Sequence, residues 1–306
     1  MDFIDRQFYA LADEIGALSG KELYHRMRAS FELVPEASRK SCADFFNQFG
    51  YWGRLDPDNG VYDEIEQKQI ALSEHLDDFV GLFGRLGDRR SKAVLHAVIS
   101  NWYRYDFAST ARSMEYLYDD YFDLDLVQCT KNEVFVDLGA YTGDTLASYL
   151  RCYGGDCYRR IYCYEMAPDS FAVLSERFGA LRDVELRQKG VSDAPGAMAL
   201  DGSGGDPSAY RLVPGDGVEV TTLDGDIAEP VTLIKADIEG FEHRAILGAR
   251  RHIAEDRPRL LISVYHNNDD IWRIPQTLDA IAPGYRYYLR FRSSPLYPTE
   301  ITLFAL

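Results

Sequence analysis

The chain has 306 residues, of which 46% are hydrophobic, so it carries enough apolar surface to bury the core of one or two domains. Its 49 acidic residues outnumber its 33 basic residues, and the formal net charge is −16. A surface this acidic repels nucleic-acid phosphates and anionic lipid headgroups, which argues against nucleic acid and membranes as partners.

The N-terminus and the cysteines favour a cytoplasmic protein. The N-terminus lacks a basic segment followed by an apolar stretch, so no signal peptide is predicted. No run approaches the roughly 20 apolar residues that a transmembrane helix needs. The five cysteines are odd in number and lack CxxC spacing, which favours reduced thiols over disulfides or zinc ligands.

Residues 1–125 are predicted to form an N-terminal helical region. Between Val61 and Phe83, apolar residues recur at steps of three and four, which is typical of one buried helix face. The same spacing continues from Val94 to Tyr105. We interpret this region as a helical cap on a second domain. A substrate lid and a dimer interface, which would make the protein a homodimer, are the alternatives.

From residue 126 to 306, short apolar strands alternate with helices. The predicted strands are Glu133–Asp137, Arg160–Glu165, Val184–Val191, Val231–Asp237, Arg259–His266, Arg286–Arg292 and Glu300–Ala305. The predicted helices are Thr142–Tyr153, Pro168–Phe178, Glu239–Ile253 and Asp270–Ile281. This alternation predicts an α/β fold with a parallel sheet covered by helices on both faces. No helix separates the last two strands, which are therefore predicted to close the sheet as an antiparallel pair.

Residues 195–217 interrupt this alternation. They contain six glycines and three prolines, a composition typical of a loop or a loose hairpin. Either such a segment lies over the functional site, or it is a mobile surface loop.

The most informative motif runs from Val134 to Thr145. A buried strand ends at Asp137, and a turn with Gly139 and Gly143 leads into a helix. Such a turn places helix N–H groups and a closely approachable backbone beside a nucleotide-like ligand. The GxGxxG order of dinucleotide-binding folds is missing, and the order is nearer to the acid-x-Gly-x-Gly-x-Gly of S-adenosylmethionine (SAM) binders. A carboxylate at Asp137 also suits a methionine ammonium better than a pyrophosphate. A tight turn without a ligand is the alternative.

Glu165 ends the second predicted strand, and an acid there can accept both ribose hydroxyls of an adenosine. Both NAD and SAM contain such a ribose, so this contact does not distinguish between them. The alternative is that Glu165 is a solvated surface acid. The turn after the third strand is predicted to flank the adenine. The predicted cofactor contacts are Asp137, Gly139, Ala140, Thr142, Gly143, Thr145, Glu165, Met166, Val191 and Ser192.

Together these motifs resemble the FkbM family of SAM-dependent methyltransferases. The resemblance lies in Val134–Thr145, Tyr164–Pro168, Ile234–Gly240 with Glu242, Ile262–His266, Tyr287–Arg290 and Thr299–Thr302. It implies a class I methyltransferase fold, which is a Rossmann-like sheet of seven strands whose last strand is antiparallel, with SAM at the carboxyl ends of the strands. It also implies methylation of hydroxyl groups, often on sugars or secondary metabolites.

The ends of the fourth and fifth strands are predicted to hold the catalytic residues, because a hydroxyl acceptor needs a base or a metal beside the methyl group. Asp237 ends the fourth strand and His266 ends the fifth, and we predict that both are catalytic. If extended geometry continues, Glu239 points where Asp237 does. Glu242 and His243 are predicted to face solvent. The alternative is a structural role, in which Asp237 and Glu239 lie at the start of a helix, where acidic side chains are favourable.

Two further interpretations concern the surroundings of these residues. Asp237 and His266 with Asn267 or Asp269 are ligand types for Mg²⁺, but their order matches known sites only loosely, so a divalent metal is an alternative that we do not favour. Tyr121 belongs to an aromatic cluster before the first strand; we interpret it as a packing residue, with closure of the cofactor pocket as the alternative.

The sequence therefore predicts a SAM-dependent O-methyltransferase that acts on a small polar molecule, such as a sugar or a glycosylated or polyketide-like metabolite. One alternative is an NAD-dependent oxidoreductase. The other is a catalytically silent scaffold that binds a protein partner through its N-terminal helices.

Overall fold

The structure is a computed structural model that describes residues 1–119, 121–202 and 210–306. The chain divides into two compact units that interleave along the sequence. The first unit contains Met1–Glu115, Val264–Gln276 and Arg286–Leu303, and the second contains Tyr116–Ser263, Thr277–Tyr285 and Phe304–Leu306. The predicted division between residues 125 and 126 stays a prediction.

The N-terminal part of the first unit is helical, as its apolar spacing predicts. Its helices are α1 (Phe3–Gly16), α2 (Gly20–Glu32), α3 (Glu36–Phe49), α4 (Asp63–Glu74), α5 (Leu76–Arg85), α6 (Arg89–Arg104) and α7 (Phe107–Ser113). Between α3 and α4, the two-residue strands β1 (Leu55–Asp56) and β2 (Val61–Tyr62) flank a 3-10 turn (Pro57–Asn59). No helix among the described residues combines the length and the apolar character that crossing a bilayer requires.

Side-chain caps determine where these helices begin. Ser19 and Glu22 form a capping box, in which each side chain accepts the backbone N–H of the other, so α2 begins at Gly20. Asp88 accepts the Ser91 N–H at 2.7 Å at the start of α6. The same carboxylate pairs with the buried Arg290 guanidinium at 2.8 Å, so one acid both caps α6 and neutralises a buried charge of the first unit.

Among the residues that the structure describes, the later strands are β3 (Val134–Leu138), β4 (Arg160–Tyr164), β5 (Val184–Arg187), β6 (Gly190–Val191), β7 (Gly196–Asp201), β8 (Arg211–Thr221), β9 (Leu233–Ala236), β10 (Arg259–Ser263), β11 (Tyr287–Phe291) and β12 (Ile301–Ala305). The later helices are α8 (Asp144–Tyr153), α9 (Pro168–Phe178), α10 (Leu223–Asp226), α11 (Glu242–Gly248), α12 (Arg250–Glu255) and α13 (Asp270–Ile281).

Seven of these strands form the central sheet in the order β5-β4-β3-β9-β10-β12-β11, which confirms the predicted α/β class and the number of strands. The last strand, β12, lies between β10 and β11. The pairs β5/β4, β4/β3, β3/β9 and β9/β10 are parallel. Every residue of β3 is buried, as expected for a central strand covered on both faces. Because parallel strands run the same way, the carboxyl ends of β3, β4 and β9 lie along one edge of the second unit.

A second, three-stranded sheet in the order β6-β8-β7 accounts for part of the glycine-rich segment. β7 and β8 pair antiparallel, so the hairpin alternative for residues 195–217 is confirmed where the chain is described, and residues 203–209 lie outside the described residues. The predicted strand Val184–Val191 is wrong as one element, because β5 belongs to the central sheet and β6 to this second sheet.

The predicted helix Glu239–Ile253 is also wrong as one element. Glu239 and Gly240 have left-handed φ angles of +56° and +92°, which no helix continues, so α11 begins only at Glu242. The helix is then interrupted at Ala249 before α12. Gly248 is required at that point, because a Cβ there would lie 2.0 Å from the carbonyl oxygen of Ser192.

Candidate functional site

The glycine turn after β3 is held tightly against the neighbouring strand ends of the second unit. The backbone N–H groups of Gly139 and Ala140 both donate to the carbonyl of Tyr164, the last residue of β4, at 3.0 and 2.9 Å. Gly139 has a φ of +76°, and a Cβ on it would lie 1.8 Å from the backbone oxygen of Asp237. Only glycine fits there, because the backbone that follows β9 passes directly over it.

The rest of the turn prepares the start of α8. Tyr141 adopts a left-handed φ of +47°, which is strained for a residue with a side chain, and Gly143 follows with +86°. The Gly143 N–H donates to the Ala140 carbonyl at 2.7 Å, closing the turn. A Cβ on Gly143 would lie 2.3 Å from the Phe178 ring, so the second glycine of the motif is required for packing against α9.

Glu165 connects this turn to the end of β4. One carboxylate oxygen accepts the Tyr141 N–H at 2.8 Å, and the other accepts the Ala167 N–H at 2.6 Å. The side chain is 8% exposed, and burial raises its pKa, although these two hydrogen bonds lower it. An ionised carboxylate offers about four acceptor positions, so both oxygens retain a position for a further donor. Glu165 is therefore a buried acid that shapes the turn and still has acceptor capacity.

The environment of Asp137 differs from the one that the sequence predicts, in which its carboxylate contacts a ligand directly. Its side chain is 0% exposed, and its ion-pair partner is the buried Lys235, whose Nζ lies 3.2 Å from Oδ1. No other donor among the described residues forms a hydrogen bond with the Asp137 carboxylate. Burial raises the pKa of Asp137 to about 6, although the Lys235 charge lowers it. In this structure the Asp137 carboxylate contacts its protein neighbours, and its predicted contact with the cofactor stays a prediction.

Lys235 is the residue of this site that the sequence interpretation missed. It lies in β9 directly opposite Asp137 of β3 in the register of the two strands. Its ammonium donates to the carbonyls of Gly139 at 2.9 Å and Leu138 at 3.3 Å, in addition to the pairing with Asp137. Burial lowers the pKa of Lys235, but the charges of nearby acids, mainly Asp137, raise it by more. The pKa of Lys235 is therefore above its usual value. The available signal was a lysine inside a strand whose other residues are apolar.

Asp237 follows β9 and is half-buried at the same edge. Its carboxylate accepts the Tyr121 hydroxyl at 2.6 Å, and that hydroxyl lies 3.3 Å from the Ser263 hydroxyl at the end of β10. The Tyr121 ring also lies 5.0 Å from the Lys235 ammonium, within the range of a cation–π contact. Tyr121 therefore connects the ends of β9 and β10 within the second unit, and its role is more than helix packing.

Two expectations around Asp237 are wrong. Because Glu239 has a left-handed φ, extended geometry does not continue through the segment, and the period-two argument that aligns Glu239 with Asp237 fails. Glu242 does not face solvent but is 0% exposed, and it accepts the Ile238 N–H at 2.8 Å. His243 is half-buried and hydrogen-bonds with Thr277 at 2.9 Å. The acid that stabilises this segment from α11 is thus Glu242.

The other predicted cofactor contacts lie on three segments of the second unit. Ala140 and Thr145 are buried, and Thr142 and Met166 are half-buried. Val191 and Ser192 are buried at the end of β6, where the Ser192 N–H donates to the Thr221 carbonyl at 2.9 Å. The Ser192 hydroxyl donates to Asp193 at 2.9 Å. Thr142, Gly143 and Thr145 thus surround the start of α8, while Val191 and Ser192 are anchored in the smaller sheet.

His266 belongs to the first unit, three residues after the end of β10. It is 3% exposed, and its ring packs against Tyr51 and Tyr265 with centroid distances of 5.6 and 4.2 Å. The role predicted for it stays a prediction.

The first unit also contains a small cavity, whose walls include Phe46, Trp52 and Trp102. Its enclosed volume is about 20 Å³, which is room for roughly one water molecule. A cavity of this size does not hold a nucleotide-sized cofactor.

The chain is similar to one known protein family and to several solved structures. The family model described as Methyltransferase FkbM domain matches residues 137–289, which is half of the chain. The solved structure of methyltransferase FkbM from Methylobacillus flagellatus KT is similar to the chain with a TM-score of 0.66 and 24% identity, over 80% of this chain. The match covers 61% of the M. flagellatus chain, so the present chain spans less than two thirds of that protein.

More distant similarity extends to two structures with bound ligands. Fibrillarin from Aeropyrum pernix, in complex with natively bound SAM, has a TM-score of 0.37 and 16% identity over 59% of this chain and 70% of its own. A Streptococcus mutans protein in complex with S-adenosylhomocysteine has a TM-score of 0.37 and 14% identity over 58% of this chain and 91% of its own. No curated protein matches the chain. The glycine turn of β3, the acid after β4 and the family match over half of the sequence lead to one conclusion: the chain belongs to the FkbM methyltransferase domain family.

Proposed function

We propose that the protein is a SAM-dependent methyltransferase that methylates a hydroxyl group of a small polar molecule, such as a sugar or a glycosylated or polyketide-like metabolite. One observation carries the proposal. The Tyr141 N–H of the glycine turn donates directly to the Glu165 carboxylate, so the two features predicted to bind the cofactor meet at neighbouring strand ends. Membership of the FkbM family supports the reaction type.

The residues of the second unit fit SAM. Glu165 would accept the ribose hydroxyls at the acceptor positions that its two backbone hydrogen bonds leave open. The start of α8, with Thr142 and Thr145, would face the methionine carboxylate, because a helix N-terminus stabilises an anion. When bound, SAM supplies a methyl group that its sulfonium already activates. Asp137 and Lys235 would hold the turn in shape from beneath.

Asp237 is our candidate for accepting the proton of the acceptor hydroxyl. It is half-buried after β9, and the Tyr121 hydroxyl donates to one of its oxygens at 2.6 Å. That bond would orient the carboxylate for proton removal. Proton removal by a positioned carboxylate contributes typically about 10²–10⁴-fold to such reactions. His266 is retained as a second candidate on the sequence argument alone, and we propose no metal.

Ligand binding provides the first test. S-adenosylhomocysteine at millimolar concentration is expected to raise the melting temperature of the purified protein, because a ligand that binds only the folded state stabilises it. NADH serves as the control for the oxidoreductase alternative. A melting temperature that S-adenosylhomocysteine leaves unchanged, or that NADH raises equally, would contradict the proposal.

Turnover provides the second test. Transfer of a labelled methyl group from SAM to a panel of hydroxylated sugars and polyketides is expected for the wild type. Asp237→Asn should reduce kcat by about 10²-fold or more without a comparable change in S-adenosylhomocysteine affinity, as for removal of a general base. Cofactor binding without transfer to any acceptor, together with a protein partner that co-purifies, would favour the scaffold alternative.

We also propose a cytoplasmic location and a small-molecule acceptor as the partner, without nucleic acid or membrane. The net charge of −16 supports the exclusion of nucleic acid and membranes, since it opposes binding to phosphates and anionic lipids. Homodimer formation through the N-terminal helical region is a further proposal, and light scattering of the purified protein tests it.

A further inference from the structure

We infer that Lys235 is a positioning residue for the cofactor turn: its ammonium holds the Gly139 carbonyl and the Asp137 carboxylate in place, and cofactor affinity depends on it. The inference rests on the proposed binding of SAM at this turn. It assigns a binding role to a lysine that does not reach the ligand itself.

The polar contacts described for Lys235 converge on the end of β3 and the start of the turn. Its Nζ lies 3.2 Å from Asp137 Oδ1 and donates to the carbonyls of Gly139 at 2.9 Å and Leu138 at 3.3 Å. An ammonium has three donors, and these three acceptors belong to consecutive residues at the end of β3. The lysine thus connects β9 to the end of β3 and the start of the turn.

Burial makes the arrangement costly. Lys235 is 2% exposed and Asp137 is 0% exposed, so both charges are withdrawn from bulk solvent. Replacement of a buried ion pair by apolar side chains is often neutral or stabilising, so such a pair is weak evidence for a contribution to stability. Because stability alone does not explain a buried pair, the geometry that this pair imposes on three consecutive residues is the better explanation.

The lysine restrains the one side of the turn, the Gly139 carbonyl, that the other contacts of Gly139 leave unrestrained. Gly139 and Ala140 donate to the Tyr164 carbonyl on the β4 side, and the backbone of Asp237 covers Gly139 from above. Lys235 supplies the bond to the Gly139 carbonyl from the β9 side. Without it, a glycine with a φ of +76° is free to rotate its carbonyl away, and the preorganised turn is lost.

A matched pair elsewhere in the chain provides the control. Glu64 and Lys68 of α4 also form a buried ion pair, with side chains 0% and 4% exposed, in the first unit. The test compares Asp137→Asn/Lys235→Met with Glu64→Gln/Lys68→Met in the full chain. Both double variants remove one buried ion pair and leave no buried charge without its partner.

Titration calorimetry with S-adenosylhomocysteine and urea unfolding by circular dichroism measure affinity and stability separately. We expect Asp137→Asn/Lys235→Met to bind S-adenosylhomocysteine about tenfold more weakly than wild type or worse. Glu64→Gln/Lys68→Met should retain wild-type affinity even where its stability changes. The single variant Lys235→Met, which leaves the Asp137 charge buried alone, should be less stable than the double variant.

Each other outcome has a definite meaning. If the folded Asp137→Asn/Lys235→Met variant binds S-adenosylhomocysteine within twofold of wild type, Lys235 is not a positioning residue. If this double variant fails to fold while Glu64→Gln/Lys68→Met folds, the pair serves stability and the inference is equally overturned. Absence of binding by the wild type would overturn the proposed function instead, so the two failures are distinguishable.

Discussion

Substitution of Gly139 by alanine should destabilise the second unit more than an equivalent substitution at an open glycine. Gly139 has a φ of +76°, and the new Cβ would lie 1.8 Å from the Asp237 oxygen. Gly60 has nearly the same φ, +72°, but nothing lies within 4 Å of its Cβ position. Gly60→Ala therefore isolates the cost of the left-handed backbone, and the difference between the two variants measures the collision.

The structure gives the size of this difference. A left-handed alanine costs about 1 kcal/mol, and Gly60→Ala should cost no more than this. To reach an ordinary contact of 3.4 Å, Gly139 and the Asp237 backbone must separate by about 1.6 Å. That movement breaks the bonds of the Gly139 carbonyl to Lys235 and of its N–H to Tyr164, at about 1 kcal/mol each. Gly139→Ala should thus cost about 3 kcal/mol in total.

The assay must report on the second unit. All three tryptophans, Trp52, Trp102 and Trp272, belong to the first unit, so their fluorescence alone is not sufficient. Hydrogen exchange of peptides that cover β3 and α8 follows the second unit directly, and urea unfolding by circular dichroism follows both. If Gly139→Ala loses no more stability than Gly60→Ala within about 0.5 kcal/mol, the close approach of the two backbones is refuted.

Three further predictions concern the Glu165 carboxylate, the pKa of Asp137 and the buried thiols. Glu165→Gln turns one acceptor into a donor that faces a backbone N–H, so affinity for S-adenosylhomocysteine should fall at least about tenfold in calorimetry, and unchanged affinity would remove Glu165 from the site. Burial raises the pKa of Asp137 from 3.8 to about 6, so its contribution to folding is present below pH 3.8 and is lost, by about 3 kcal/mol, as the pH rises through 6. The difference in unfolding free energy between wild type and Asp137→Asn should therefore change between pH 4 and 7, and a constant difference would contradict the shift. Burial raises the pKa of Cys42 to about 12 and that of Cys163 well above its usual value, so a thiol reagent should modify both only in denaturant, and rapid reaction in the native protein would contradict their burial.

Local pattern was sufficient for most of the fold. The apolar runs that predict Glu133–Asp137 and Arg160–Glu165 correspond to β3 and β4 within one residue at each end. Strands buried on both faces are continuous apolar runs, and this property depends only on neighbouring residues. Prediction failed where the backbone leaves regular geometry, as at Glu239. A residue that adopts a left-handed φ without being glycine has no signal in the composition of the sequence.

The candidate site was predicted only in its outline. Gly139, Gly143 and Glu165 were singled out because glycine turns and terminal acids have a recognisable spacing. Lys235 was overlooked, since its importance depends on the register that places it opposite Asp137 on another strand. For the same reason Asp137 was interpreted as open to a ligand, although its carboxylate is fully buried.

The sequence by itself determined the fold class, the main strands and helices that flank the glycine turn, and the family, because these depend on periodicity and on motifs of adjacent residues. Only the tertiary structure decided which charges neutralise each other and which acids remain half-exposed. The pairing of Asp137 with Lys235 and of Tyr121 with Asp237 joins residues 98 and 116 positions apart. The pairing of strands brings such groups together, and the cost of burying a charge then determines which of them must be partners.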